Sequence, residues 1–265
     1  MRQRRVTGIE ERIRPYADLI LRGEGECIPP TGADEAESPH IGAGWAENPH
    51  NGADFPLRWH ERPSPRYALP DGFGRVYAEL GCGRGLFINK LAAEDPGGLY
   101  IGAEGCRTIL IRALEKTREA GLANIRYIDS FINDAASAFA AGLLSGVFLN
   151  FSDPWPKVRH AGRRLTAPAK AAAYLGTLKP GGFVVFKTDG EEFYRYSLEV
   201  FQSEGFSIEG HGLLHFPGQP DEGAEGPCRI CADAIAGRAV NTPTEYELRF
   251  RSFGSPVYYF AAYKI

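Results

Sequence analysis

Four carboxylates in this chain stand where an apolar run stops: Glu79, Glu104, Asp153 and Asp189. Glu79 lies just before "GCGRG", whose Gly81 and Gly83 allow positive φ and a close approach of backbone to ligand. Turns also use glycine for purely steric reasons, so the loop alone decides little. Glu104 follows about twenty residues on, the distance at which an acid accepts hydrogen bonds from a ribose diol. Together the two acids point to an adenosine-containing cofactor. A dinucleotide calls for G-x-G-x-x-G, with a helix N-terminus facing pyrophosphate. Here the third glycine comes two residues after the second, and position 86 is Leu. S-adenosylmethionine has no phosphate but carries a sulfonium and an ammonium, which suit a carboxylate beside the loop. The spacing favours that cofactor.

Asp153 lies in "NFSDPWPKVRHAGRR" (150–164). At the end of its apolar run it faces the transferable group, unless with Ser152 it merely caps a turn. Pro154 and Pro156 fix φ and bar a helix, so Trp155 rides on a stiff loop. Its indole either stacks on a base or packs into the core. Lys157, Arg159, Arg163 and Arg164 follow. Such a run is usually a solvated face, but beside an acid and a stiff aromatic loop it suits phosphates. "FKTDG" brings Asp189 next to Asp153 if their strands are neighbours. "TPTEYE" (242–247) adds the Thr244 hydroxyl and the Glu245 and Glu247 carboxylates.

The elements that must position these groups begin at residue 75. Apolar stretches at 75–80, 98–104, 124–128, 146–151, 183–188, 206–214 and 257–264 read as seven strands. Helical spacing covers 85–95, 107–121, 134–144, 167–178 and 191–205. Near-continuous apolar strands alternating with amphipathic helices imply an α/β fold, a mostly parallel sheet with helices on both faces. The last two strands have no helical pattern between them, so they can pair antiparallel at one edge. Ligands in such sheets bind beyond the carboxyl ends of the strands, near the switch in strand order. Residues 21–74 are rich in Gly, Pro, Ala and acids and carry neither period, which reads as a partly irregular or disordered N-terminal extension over 1–74.

With 265 residues, 43% of them hydrophobic, the chain can build one good-sized core. No apolar window approaches a membrane span, and the basic "MRQRR" opening precedes no apolar stretch, so neither membrane nor secretory signal is expected. The five cysteines are unevenly placed, and Cys82 and Cys106 fall in core elements, which favours a reducing cytoplasm. Cys228 and Cys231 form one CxxC, half a metal site; a polar loop with two thiols is the simpler reading, and no metal is expected. The net charge of −3 argues against a nucleic-acid binder until its distribution is read. Seven Lys or Arg and no acid lie between Asp153 and Asp189, whereas nine acids face two arginines between Pro15 and Glu61.

"ELGCGRGLF", "GAEG", "NFSDPWPKVRHAGRRLT", "FKTDG" and "TEYE", in that order, resemble the bacterial tRNA (guanine-N(7))-methyltransferases. The "SDPWPK…RH…RR" element with a downstream TxxE is highly specific, and the likeness spans most of the chain. It implies a Rossmann-like class I methyltransferase domain over 75–265, with a seven-stranded sheet and an antiparallel edge strand; the segments 24–70 and about 216–241 depart from the family and look like additions. It implies S-adenosylmethionine as donor and N(7) of guanosine 46 in the tRNA variable loop as acceptor. Another RNA, or a non-RNA acceptor, is the alternative. On matching positions the resemblance assigns Glu79, Gly81, Gly83, Glu104 and Asp153 to the cofactor, with Asp153 also catalytic. It assigns Lys157, Asp189, Thr244, Glu245, Tyr246 and Glu247 to the guanosine, and Arg159, His160, Arg163 and Arg164 to RNA. The Asp-Ala pair that such enzymes carry after the third strand has no ungapped match. Counting lands on Phe131, and Asn133–Asp134 is the nearest fit. Monomer and homodimer both remain open.

Overall fold

A computed structural model describes residues 8–21, 23, 67, 69–132, 135–214 and 234–265. Asn133, Asp134 and the CxxC pair lie outside these, as does most of the 24–70 segment.

The transferase portion opens with β1 (Arg75–Leu80), α2 (Leu86–Glu94), β2 (Gly98–Ala103), α3 (Arg107–Glu119) and β3 (Ile125–Ile128), after a short α1 (Ile9–Ile13) near the N-terminus. It continues through α4 (Ala135–Ala138), β4 (Leu144–Asn150), α5 (Pro168–Thr177), β5 (Leu178–Thr188), α6 (Glu191–Ser203) and β6 (Phe206–Leu213). α7 (Ala234–Asn241), α8 (Glu245–Arg251) and β7 (Tyr258–Lys264) complete it. The strands form one sheet in the order β3-β2-β1-β4-β5-β7-β6. β2 and β4 are buried at every position, as strands covered on both faces must be. β7 runs antiparallel to both neighbours. The last two strands therefore pair antiparallel at the edge, with β7 one place in and β6, parallel to the main set, outermost.

Two apolar layers cover the sheet. α2, α3 and α7 bring Phe87, Ile88, Leu91, Leu110, Leu114 and Ile235 to one face. α4, α5 and α6 bring Ala138, Ala171, Tyr174, Phe193 and Phe201 to the other. The sheet reverses direction of progress between β1 and β4, so the crevice for a ligand opens above their carboxyl ends.

One expected bound is corrected, and two segments gain detail. The helix read over 134–144 stops at Ala138, because Gly142 turns at φ 65 and its N–H bonds Gly176 O, which frees Leu144 to start β4. The end of the stretch read as an insertion, 234–241, is α7, with Ala236 and Ala239 fully buried. The start of the N-terminal extension is ordered onto the domain: Arg118 ties to Pro15 O and Asp18, and Leu21 N–H bonds Tyr127 O beside β3.

Candidate functional site

Glu79 is next to last in β1 and only 1% exposed. The Asn150 amide, at the end of β4, donates to its Oε1 at 2.8 Å. Oε2, and Oδ1 of Asn150, have no hydrogen-bond partner among the described residues. Burial pushes the Glu79 carboxyl up to about 8, against the pull of the Asn150 bond and of the Lys187 charge. An ionised carboxylate so buried is costly without a cation. A positively charged group approaching from the open side would stabilise its ionised form.

That side is a cavity of about 320 Å³ lined by Glu79, Gly81, Gly83, Asn150, Phe151 and Glu245, among others. Gly81, Gly83 and Gly85 all take positive φ, so the loop bares its backbone to the cavity. Gly85 has a second reason: a Cβ there would stand 2.6 Å from Ala113 Cβ, so it lets α2 close on α3. Glu104, half-buried after β2, accepts from Gly83 N–H at 3.2 Å and Cys106 N–H at 2.7 Å. Glu104 itself is not among the residues lining the cavity; Gly83, to which it is hydrogen-bonded, is. Desolvation raises its carboxyl above the usual range while those N–H donors restrain it. Past β3, the ring of Phe131 lies against Gly105 and is 64% exposed.

β4 and β5 are parallel neighbours, with Asn150 opposite Lys187. Their ends therefore bring Asp153 and Asp189 to the same edge. Asp153 is exposed and lies outside the cavity lining. It sits between two residues forced into positive φ, Phe151 at 50° and Trp155 at 41°. Such positions cost about 1–3 kcal/mol each and persist only where the surroundings enforce them. Here Arg164 enforces the second: its guanidinium donates to Pro154 O at 2.8 Å and Trp155 O at 3.2 Å, and it lies 4.3 Å from the Tyr196 ring centre. Arg163 stacks over Trp155 at 5.2 Å, and His160 meets the same ring edge-on. The Trp155 indole thus packs on its own basic strip. Desolvation, with the nearby Arg163, Arg159 and Lys157 charges, lowers the His160 pKa. Lys157 and Arg159 are exposed on the loop after β4. The strip divides into two clamps and two outward cations.

The TEYE residues separate in the same way. Thr244 and Glu247 form a capping box at the start of α8. Glu247 is 0% exposed, bonded to Lys187 Nζ at 2.9 Å and paired with Arg251. Cap and buried ion pair engage the Glu247 carboxylate in this structure. Glu245 faces the other way, accepting the first N–H of α2 (Leu86, 3.2 Å) and pairing with Lys116. Tyr246 lies between the rings of Phe151 and Phe250 and donates its O–H to Asp189 at 3.0 Å. Asn150 and Lys187 are the residues that sequence reasoning passed over. The signal was present: each is the lone polar group late in an apolar strand, in "GVFLN" and "FVVFK".

A sheet ordered 3-2-1-4-5-7-6 with β7 reversed, a glycine loop after β1 and an acid after β2 define a class I S-adenosylmethionine-dependent methyltransferase. The solved structure of the 16S rRNA methyltransferase KamB shares the fold, with TM-score 0.50 over 72% of this chain and 88% of that one at 14% identity. The family model Methyltransf_4, "Putative methyltransferase", matches residues 74–212. The tRNA (guanine-N(7)-)-methyltransferase of Staphylococcus aureus (strain Mu50) is 37% identical over 248 residues, 93% of this chain and 94% of that protein. That of Geobacillus kaustophilus is 35% identical over 208 residues, 73% and 87%. The chain belongs to the tRNA (guanine-N(7)-)-methyltransferase family.

Proposed function

We propose that the chain transfers a methyl group from S-adenosylmethionine to N(7) of guanosine in tRNA, and that the acceptor is guanosine 46 of the variable loop. The observation that carries this reading is the unpartnered Glu79 oxygen at a cavity whose lining residue Tyr246 donates to Asp189, with Asp153 and the exposed Lys157 and Arg159 on the loop after β4. Relatives named for this reaction support it.

Glu79 and Asn150 would hold the cofactor's ammonium, Gly81 and Gly83 its backbone-facing side, and Glu104 its ribose. Asn133 or Asp134 would meet the adenine. When bound, S-adenosylmethionine supplies a methyl group made electrophilic by its sulfonium. The chain needs no strong general base, because guanine N(7) has an in-plane lone pair and no proton to lose. Its task is to align acceptor and donor, and positioning of this kind supplies most of the rate. As the purine becomes cationic, its N–H edge donates more strongly. Asp153 and Asp189 accept there and stabilise the growing charge. The Tyr246 O–H keeps Asp189 turned to the rim. Freeing the base from its stack costs a few kcal/mol, which Lys157 and Arg159 offset on the phosphates. No helix among the described residues is long and apolar enough to cross a membrane, and we place the enzyme in the cytoplasm with its tRNA.

The test is labelled methyl transfer to unmodified tRNA with the product nucleoside mapped. Label at N(7) of guanosine 46, lost when that base is changed to adenosine, supports the reading. Label elsewhere contradicts it.

A further inference from the structure

Lys187 is the penultimate residue of β5 and is 0% exposed. Its ammonium donates to Thr242 O at 2.7 Å, in the α7–α8 link, and to Glu247 Oε2 at 2.9 Å, in α8. It also stands 5.1 Å from the centre of the Phe87 ring, in the first turn of α2 behind the glycine loop. On the adjacent strand its register partner is Asn150, which bonds Glu79. A polar row thus crosses three strands and ends in a helix: Glu79, Asn150, Lys187, Glu247. One end reaches the cofactor cavity. The other fixes the helix whose Tyr246 holds Asp189 and whose Glu245 meets α2.

Burying an ion pair is not needed for stability, since apolar residues of similar size serve as well or better. We propose that Lys187 is a positioning residue that couples the two sides of the site: it locks α8 on the acceptor side and holds a positive charge beside the Asn150–Glu79 row on the cofactor side. The proposal rests on the methyltransferase reading above. Other groups also act on Glu79: Glu104 after β2, Glu245 of α8, Cys82 of the loop and Tyr127 of β3. Each of these is an acid or becomes negative when it ionises. Arg84 and Arg249 also line the cavity and Lys116 pairs with Glu245, while Lys187 is the cation whose charge favours ionised Glu79; burial lowers the Lys187 pKa and Glu247 opposes that change.

The experiment is calorimetric titration of S-adenosylhomocysteine into the full chain across pH, beside thermal melts. K187M should bind about tenfold more weakly near neutral pH, the effect of a one-unit rise at Glu79, with the pH at which affinity develops moved upward. K187R, which keeps the charge, should restore the profile. K187M/E247Q removes both charges of the pair, while Gln at 247 keeps the capping box and an acceptor for Arg251. It should melt closer to the wild type than K187M does yet keep the displaced profile, which a purely structural pair would not do. A double variant with wild-type affinity and profile overturns the proposal, whether or not K187M itself folds. If that happens while the wild-type chain binds S-adenosylhomocysteine and methylates tRNA, the coupling alone fails. If the wild-type chain does not bind it, the methyltransferase reading fails as well.

Discussion

The two sides of the crevice are built on opposite principles. On the cofactor side, the key acid is buried at the end of β1 and held by an amide, and three glycines fold the loop around it. On the acceptor side, the acids are exposed or half-exposed, and the loop around Asp153 is held in two positive-φ conformations by arginine and ring contacts. On the proposed reading the first side is a preformed socket for a cation, whose cost of desolvation is already present in the folded chain. The second is an open rim that must admit a nucleotide carried by a much larger molecule. Enclosure gives affinity to a small donor, and exposure keeps the acceptor side accessible.

The sharpest separation should come from Asp153→Ala. Methyl transfer should fall by about 10²–10³ while S-adenosylhomocysteine affinity stays within a few-fold, as Asp153 lies off the cavity wall. Glu79→Gln should do the reverse first: cofactor affinity should drop by about 10², read by calorimetry, because the ammonium loses its counter-charge. The same change should raise the melting temperature of the cofactor-free chain at mildly alkaline pH by on the order of a few degrees. The sign follows from burial. Glu79 titrates far above its unfolded value, so its contribution to stability is complete below the ordinary carboxylate range. It is lost as pH rises through about 8. Within the basic strip the comparison repeats on a smaller scale. Arg164→Ala should lower the turnover number about tenfold with little change in salt dependence, since Arg164 shapes the Asp153 loop. Lys157→Ala should raise the KM for tRNA only a few-fold and reduce the slope of log affinity against log salt by about one.

Sequence alone made the socket more legible than the rim. Glu79, the glycines and Glu104 are local: a strand end and a turn place them, and their spacing can be read directly. Alternation of apolar strands and amphipathic helices likewise revealed the sheet. What stayed hidden depends on long-range packing. Glu247 looked like a free acid in "TEYE" because nothing local shows that Lys187, sixty residues away, closes on it inside the core. A basic run does not show which guanidinium turns back onto its own loop, as Arg164 does on Pro154 and Trp155. α7 escaped because "AIAGRAVN" is short, interrupted by glycine, and becomes helical by packing on α2 and β5.

The central claim is that a buried, partly unsatisfied Glu79 is the cation socket of the donor. Titration of S-adenosylhomocysteine into the wild-type chain and Glu79→Gln, from about pH 6 to about pH 9, tests it most directly. The wild-type affinity should climb as pH rises through about 8, where Glu79 gains its charge, and the Gln variant should bind weakly and evenly throughout. Equal affinities in the two proteins, with no dependence on pH in either, would contradict it.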